Sequence, residues 1–203
     1  MELIVFGMMA GLFFASYALW RRARTPTRDD APPKLPPRQV PQLPSGERTL
    51  HTIQVDDVVT HLATDYIVEG VVTLDEDGEV TRLYRMADGS TVRWLGARPG
   101  SDDPLLLEEA PELALDAAGP EELAHTGQTY RLVKRGAVKA THAGNIGAGR
   151  TADRARLYEY AGPGAARVIA VAWGAAAPST DARADAFRGE RLSAASIDIL
   201  PGR

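Results

Sequence analysis

"DYIVEGVVTL" (Asp65–Leu74) is the stretch on which the fold of this chain turns. It is rich in β-branched and aromatic residues, which suit a pleated, half-buried strand, and it runs into Asp75-Glu76-Asp77-Gly78, a hairpin turn signal. "EVTRLYRMA" (Glu79–Ala87) follows, then the turn dipeptide Asp88-Gly89, then "STVRWLGA" (Ser90–Ala97). The alternation of apolar and polar residues in these runs predicts a three-stranded antiparallel meander.

A similar order of features returns further along. "QTYRLVKRGAVKAT" (Gln128–Thr141) leads to a Gly-rich turn, then "RARLYEYA" (Arg154–Ala161), the turn Gly162-Pro163-Gly164, and "ARVIAVAWGA" (Ala166–Ala175). Tyr66 and Val68 match Tyr130 and Leu132, Arg82-Leu83-Tyr84 match Arg156-Leu157-Tyr158, and Trp94 matches Trp173. The economical reading is a pseudo-repeat: a mainly β fold of two consecutive barrel-like or sandwich-like antiparallel lobes, 51–113 and 114–203. Leu105–Glu108 reads as a strand closing the first lobe, Glu121–Ala124 as a short helix after Pro120, and Arg188–Leu192 and Ile197–Leu200 as the last strands.

Upstream of the β region lie two segments of different character. Leu3 to Trp20 is uncharged and rich in Leu, Phe, Met and Ala. As a helix it would extend about 27 Å, close to the roughly 30 Å of a hydrocarbon core. A secretory signal would open with Lys or Arg and close on a small-x-small site. Here the run opens with Met1-Glu2 and closes with Tyr17-Ala18-Leu19-Trp20. With Arg21, Arg22 and Arg24 after the run, the expected arrangement is a single-pass anchor in the inner (cytoplasmic) membrane, N-terminus out and the bulk of the chain cytoplasmic. Residues 21–50 hold seven of the fourteen prolines, so they predict an extended basic linker that forms neither helix nor sheet.

Charge divides the chain. Arg21 to Arg48 carries seven Lys or Arg against three Asp or Glu, a net +4, whereas Thr49 to Arg203 carries sixteen against twenty-three, a net −7. An acidic domain of this kind argues against nucleic-acid binding, which is marked by a basic face. The absence of cysteine excludes disulfides and thiolate metal sites.

Chemical motifs are sparse. "GNIGAGR" clusters Gly144, Asn145, Gly147, Gly149 and Arg150, and such a loop can turn amides toward an anion. It has neither dinucleotide-loop nor P-loop spacing and precedes a strand, so a hairpin turn is the stronger reading. His51, His61, His125 and His142 show no ligand spacing, which predicts no metal site, and no cofactor motif is present. With no Cys nucleophile and no G-x-S-x-G elbow, the sequence leans away from an enzyme. Tyr84, Trp94, Tyr158, Tyr160 and Trp173 are the aromatic residues expected to form a protein-binding face. The functional expectation is a membrane-tethered interaction or scaffolding module; the alternative is a ligand-sensing or enzymatic domain using residues 144–150.

"DVV", "DYIVEG", "VRWL", "GQTYRL", "GNIG", "LYEY" and the closing "IDILPG", in this order, resemble the bacterial family catalogued as domain of unknown function 4178. The resemblance spans roughly Val55 to Gly202. It implies a largely β domain, often anchored by one helix and encoded beside small membrane proteins and polyamine aminopropyltransferase-like proteins, a setting of envelope or membrane stress. No catalytic residues come with it.

Overall fold

Turn chemistry and alternation place twelve strands along the described residues: β1 (Val58–His61), β2 (Thr64–Glu76), β3 (Glu79–Asp88), β4 (Thr91–Ala97), β5 (Leu105–Glu109), β6 (Leu115–Asp116), β7 (Glu122–His125), β8 (Gln128–Gly144), β9 (Arg154–Ala161), β10 (Ala166–Trp173), β11 (Arg183–Arg191) and β12 (Ile197–Leu200). The computed structural model describes residues 48–113, 115–116, 119–174 and 183–202. All of them fall within the compact unit Ser45–Arg203. The expected anchor Leu3–Trp20 and the linker up to residue 47 lie outside the described residues. Among the described residues no helix is long and apolar enough to cross a membrane.

Eight strands close into an antiparallel barrel in the order β2-β3-β4-β5-β11-β10-β9-β8, with β8 pairing back onto β2. Two seams join the halves of the chain: Gly70–Asp75 of β2 lies against Lys139–Gly144 of β8, and Leu105–Glu109 of β5 against Phe187–Arg191 of β11. The sequence predicts two successive lobes, but the outer strands of each meander pair with the other meander, so both contribute to one barrel. Only closure removes the exposed edges that two open meanders would keep.

β2 and β8 are long because each changes partner along one edge. Beyond the barrel end Val58–His61 of β1 pairs with Thr64–Ile67 of β2, and within the barrel β8 takes over from Gly70. At the opposite end β7 pairs with Gln128–Arg131 of β8. Each long strand carries a bulge, between Val68 and Gly70 and between Leu132 and Lys134. The segment Glu121–Ala124, expected to be helical, is instead part of strand β7: Leu123 faces inward opposite Tyr130, and its alternate neighbours Glu122 and Ala124 are exposed.

The β1–β2 hairpin turns through Leu62 and Ala63, both left-handed at φ 49° and 62°. In a two-residue hairpin loop with φ > 0 at both positions, glycine meets that conformation without the cost that a Cβ imposes. Ala63→Gly is therefore expected to stabilise the fold by about 1 kcal/mol, read as a higher denaturant midpoint at unchanged m-value.

Three apolar clusters result. The barrel interior is filled from every barrel strand, with Val72, Leu74, Leu83, Trp94, Leu107, Val138, Leu157, Ile169, Val171 and Phe187 among its members. Outside β8–β11, Tyr158, Tyr160, Val168 and Ala170 pack under Ala110, Leu113, Leu115 and Leu123. Outside β2–β4, Val68, Tyr84, Met86 and Leu95 pack under Leu50, Ile53, Ile197 and Ile199.

Candidate functional site

The aromatic residues expected to form a partner face are core residues here. Tyr84, Trp94, Tyr158 and Tyr160 are fully buried, and Trp173 is half-buried at the barrel rim. The Tyr84 hydroxyl donates to the Leu50 carbonyl at 3.0 Å, and burial pushes its pKa up to about 12. Trp94 and Trp173 are not equivalent in register: Trp94 lies opposite Arg85, whereas Trp173 lies opposite Ala155.

The Gly144–Arg150 loop closes one end of the barrel. Ile146 drops its side chain into the interior cluster, while the Asn145 amide donates to the Glu69 carbonyl at 2.8 Å and the Gly147 amide to Asn145 Oδ1 at 3.2 Å. Gly70 permits this approach, since a Cβ there would run into the Asn145 carbonyl. Arg150 then spans the opening. Its Nε donates to Asp185 Oδ2 at 2.7 Å and its Nη1 to Glu109 Oε1 at 2.9 Å and the Ile146 carbonyl at 3.0 Å. The same two carboxylates accept the indole N–H groups, Trp94 to Glu109 at 3.2 Å and Trp173 to Asp185 at 2.9 Å. The guanidinium also stacks 5.2 Å from the Trp94 ring centre and 5.4 Å from that of Phe187. Burial acts to lower the Arg150 pKa, and the Asp185 and Glu109 hydrogen bonds outweigh it, so the value stands above that of an ordinary guanidinium. The arrangement is a closure: two carboxylates already neutralise the arginine that would have met an anion, and Gly149 faces open space.

Beyond that closed end, β12, β1 and the start of β2 form a flap. Register aligns Leu200, Val58 and Ile67 in one row across the three strands. Leu200 and Ile67 are 56% and 53% exposed, and Leu62 at the hairpin tip is 84% exposed. The opposite face of the flap, with Val59, Tyr66 and Ile199, packs on the body. The matching extension at the other end, β7 with the start of β8, shows instead a polar outer face where Arg131 pairs with Glu122 at 3.2 Å.

The other end of the barrel interior is charged. Glu159 and Arg167 occupy the interior-side strand positions next to Leu157 and Ile169, and Arg191 lies one interior position beyond Gly189, which follows Phe187. Arg98, at the exit of β4, places Nη1 at 3.5 Å from Glu159 Oε2. Lys134 Nζ lies 2.9 Å from both Glu76 Oε2 and Glu79 Oε2. Burial tends to lower the Lys134 pKa, but those two carboxylates hold it above the ordinary value. Glu79, Arg98, Ser101, Lys134 and Glu159 line a cavity of about 420 Å³. One signal in the sequence marks Glu159 and Arg167: a charge at the apolar parity of a strand, as in "LYEYA" and "ARVIAVAW".

The four histidines lie apart, His61 Nδ1 3.0 Å from the Ser196 carbonyl and His125 Nε2 3.6 Å from Glu112 Oε1, and no three acidic or histidine side chains converge among the described residues. Comparison with known proteins adds one positive finding. No curated protein and no solved structure matches the chain. The family model described as Domain of unknown function (DUF4178) matches residues 54–194, which takes in all eight barrel strands and ends before β12. A match over that share of the chain makes this protein a member of the DUF4178 family.

Proposed function

We propose that this chain is a non-enzymatic, membrane-tethered β module that holds a protein partner at the cytoplasmic face of the membrane. The observation that carries the partner reading is the flap: an apolar row of Leu200, Val58 and Ile67 on its outer face, with Leu62 projecting at the tip in a left-handed conformation. A bulky aliphatic residue at φ > 0 and exposed is costly for the fold alone, which favours a use for it in binding. β12 pairs with β1 on one edge and with no other strand among the described residues. The occupant this surface fits is an extended segment of a partner, adding a strand to β12 and covering the apolar row with alternate side chains.

The tether belongs to the same proposal and rests on the uncharged run Leu3–Trp20, the arginines after it and the proline-rich linker. So does an internal duplication. The reading is supported by a hairpin turn at 62–63 and at 126–127, and a bulge after Val68 and after Leu132, each pair 64 positions apart.

A photo-crosslinking residue at Leu62, Ile67 or Leu200 of the full chain in native membranes is expected to trap one and the same protein. At Val133, 60% exposed on β8, it is expected to trap none of it. Equal trapping from Val133, or none from the flap positions, contradicts the proposal.

A further inference from the structure

We propose that the charged end of the barrel binds a small molecule through an oxyanion, a carboxylate or a phosphate monoester, held by the guanidinium of Arg98 with Arg191 and Arg167 behind it. Arg98 lies against Glu159 at the cavity, and the charges of Arg98, Arg191 and Glu159 all act on Arg167. Lys134, which also lines the cavity, is bound by Glu76 and Glu79, so those two acidic groups are already engaged. The contrast with the opposite end is chemical: Arg150 is held by two carboxylates, whereas Arg98 meets one, Glu159, among the described residues.

Donor accounting points the same way. Nε of Arg98 and Nε of Arg191 are both buried and meet no acceptor among the described residues. A buried charged donor left without an acceptor is costly, so each calls for an acceptor from outside the chain. Arg167 is partly provided for, its Nη1 donating to the carbonyls of Gly164 at 3.2 Å and Ala166 at 2.6 Å. Burial, then the charges of Arg191 and Arg98, lowers its pKa, with Glu159 acting in opposition. An anion relieves that crowding, and the planar fork of arginine matches the paired oxygens of a carboxylate or phosphate.

The cavity of about 420 Å³ between Arg98, Ser101, Glu79 and Lys134 lies within the range of small-molecule sites. Ile146 and the Arg150 network close the other end, so entry is from the Arg98 side. Glu159 fixes Arg98 while leaving its Nε edge unpaired, so the guanidinium is oriented before the ligand arrives.

The test titrates the purified full chain with phenyl phosphate and, separately, with benzoate, following thermal shift and amide resonances of Gly100 and Ser101 against sodium chloride at matched ionic strength. Saturable binding of at least one probe is expected, with shifts at Gly100 and Ser101. Arg98→Met is expected to weaken it at least about tenfold, and Arg131→Met, on the polar outer face, to leave it unchanged. Binding of phenyl phosphate alone assigns a phosphate monoester, and of benzoate alone a carboxylate. Should Arg98→Met not fold, Arg98→Lys keeps the charge and removes the fork, with the same weakening expected. Saturable binding of neither probe by the unaltered chain, or equal binding by a folded Arg98 variant, overturns the proposal.

Discussion

Trp94→Ala is expected to lower the unfolding free energy by about 3–5 kcal/mol, the range for removing a large aromatic from a packed core. Trp94 is fully buried, its ring centre 4.9 Å from that of Phe187 on the far seam strand and beneath the Arg150 guanidinium. Truncation opens a cavity between β4 and β11 and takes from Glu109 the indole N–H that it accepts at 3.2 Å. Barrel walls constrained on both sides relax little into such a void, which places the loss toward the upper end. Denaturant titration checks this, with Trp173→Ala as the comparison: Trp173 is half-buried at the rim and its loss is expected to cost less. A loss below about 1 kcal/mol for Trp94→Ala would mean that this ring does not fill the barrel.

Gly189→Ala is expected to destabilise by about 3 kcal/mol, at the upper end for overpacking, because the obstacle is backbone. A Cβ at Gly189 would run into the carbonyl oxygen of Leu106, and Gly189 sits opposite Leu107 in the β5–β11 seam. Neither strand can move without opening the barrel. The control is Gly149→Ala, where φ is +82° and a Cβ would meet nothing within 4 Å; left-handed strain alone predicts a cost of about 1 kcal/mol. Equal effects at the two positions would show that the seam is not as tight as this geometry makes it.

Particular residues show why the sequence was legible in parts. The strands from Asp65 to Ala97 and from Arg154 to Trp173 announce themselves by alternation between turn residues, and they stand where that pattern puts them. Alternation states which residues share a face; it does not state whether that face is covered. Tyr84, Tyr158 and Tyr160 read as an aromatic surface because Leu50, Ile53, Leu113 and Leu123, which cover them, are distant in sequence or weakly patterned. Barrel closure was hidden for a related reason. The seams pair residues 64 to 86 positions apart, such as Thr73 with Thr141 and Leu107 with Gly189, and no local signal encodes such a pairing. β7 gives no strand signal because four residues after a proline are too few to display a period.

The candidate site was less legible than the fold. Glycine spacing drew attention to Arg150, which the fold commits to Glu109 and Asp185. Arg98 gave no local signal, since its place beside Glu159 depends on two strands that meet only across the barrel interior.

Both binding proposals stand on the barrel's two ends, so closure is the claim to measure first. Nuclear Overhauser contacts in a single sample of the folded chain would read both seams directly. Cross-strand contacts are expected between Thr73 and Thr141 and between Leu107 and Gly189 together. Contacts at one seam without the other, or each meander closing on itself, would contradict a single closed barrel.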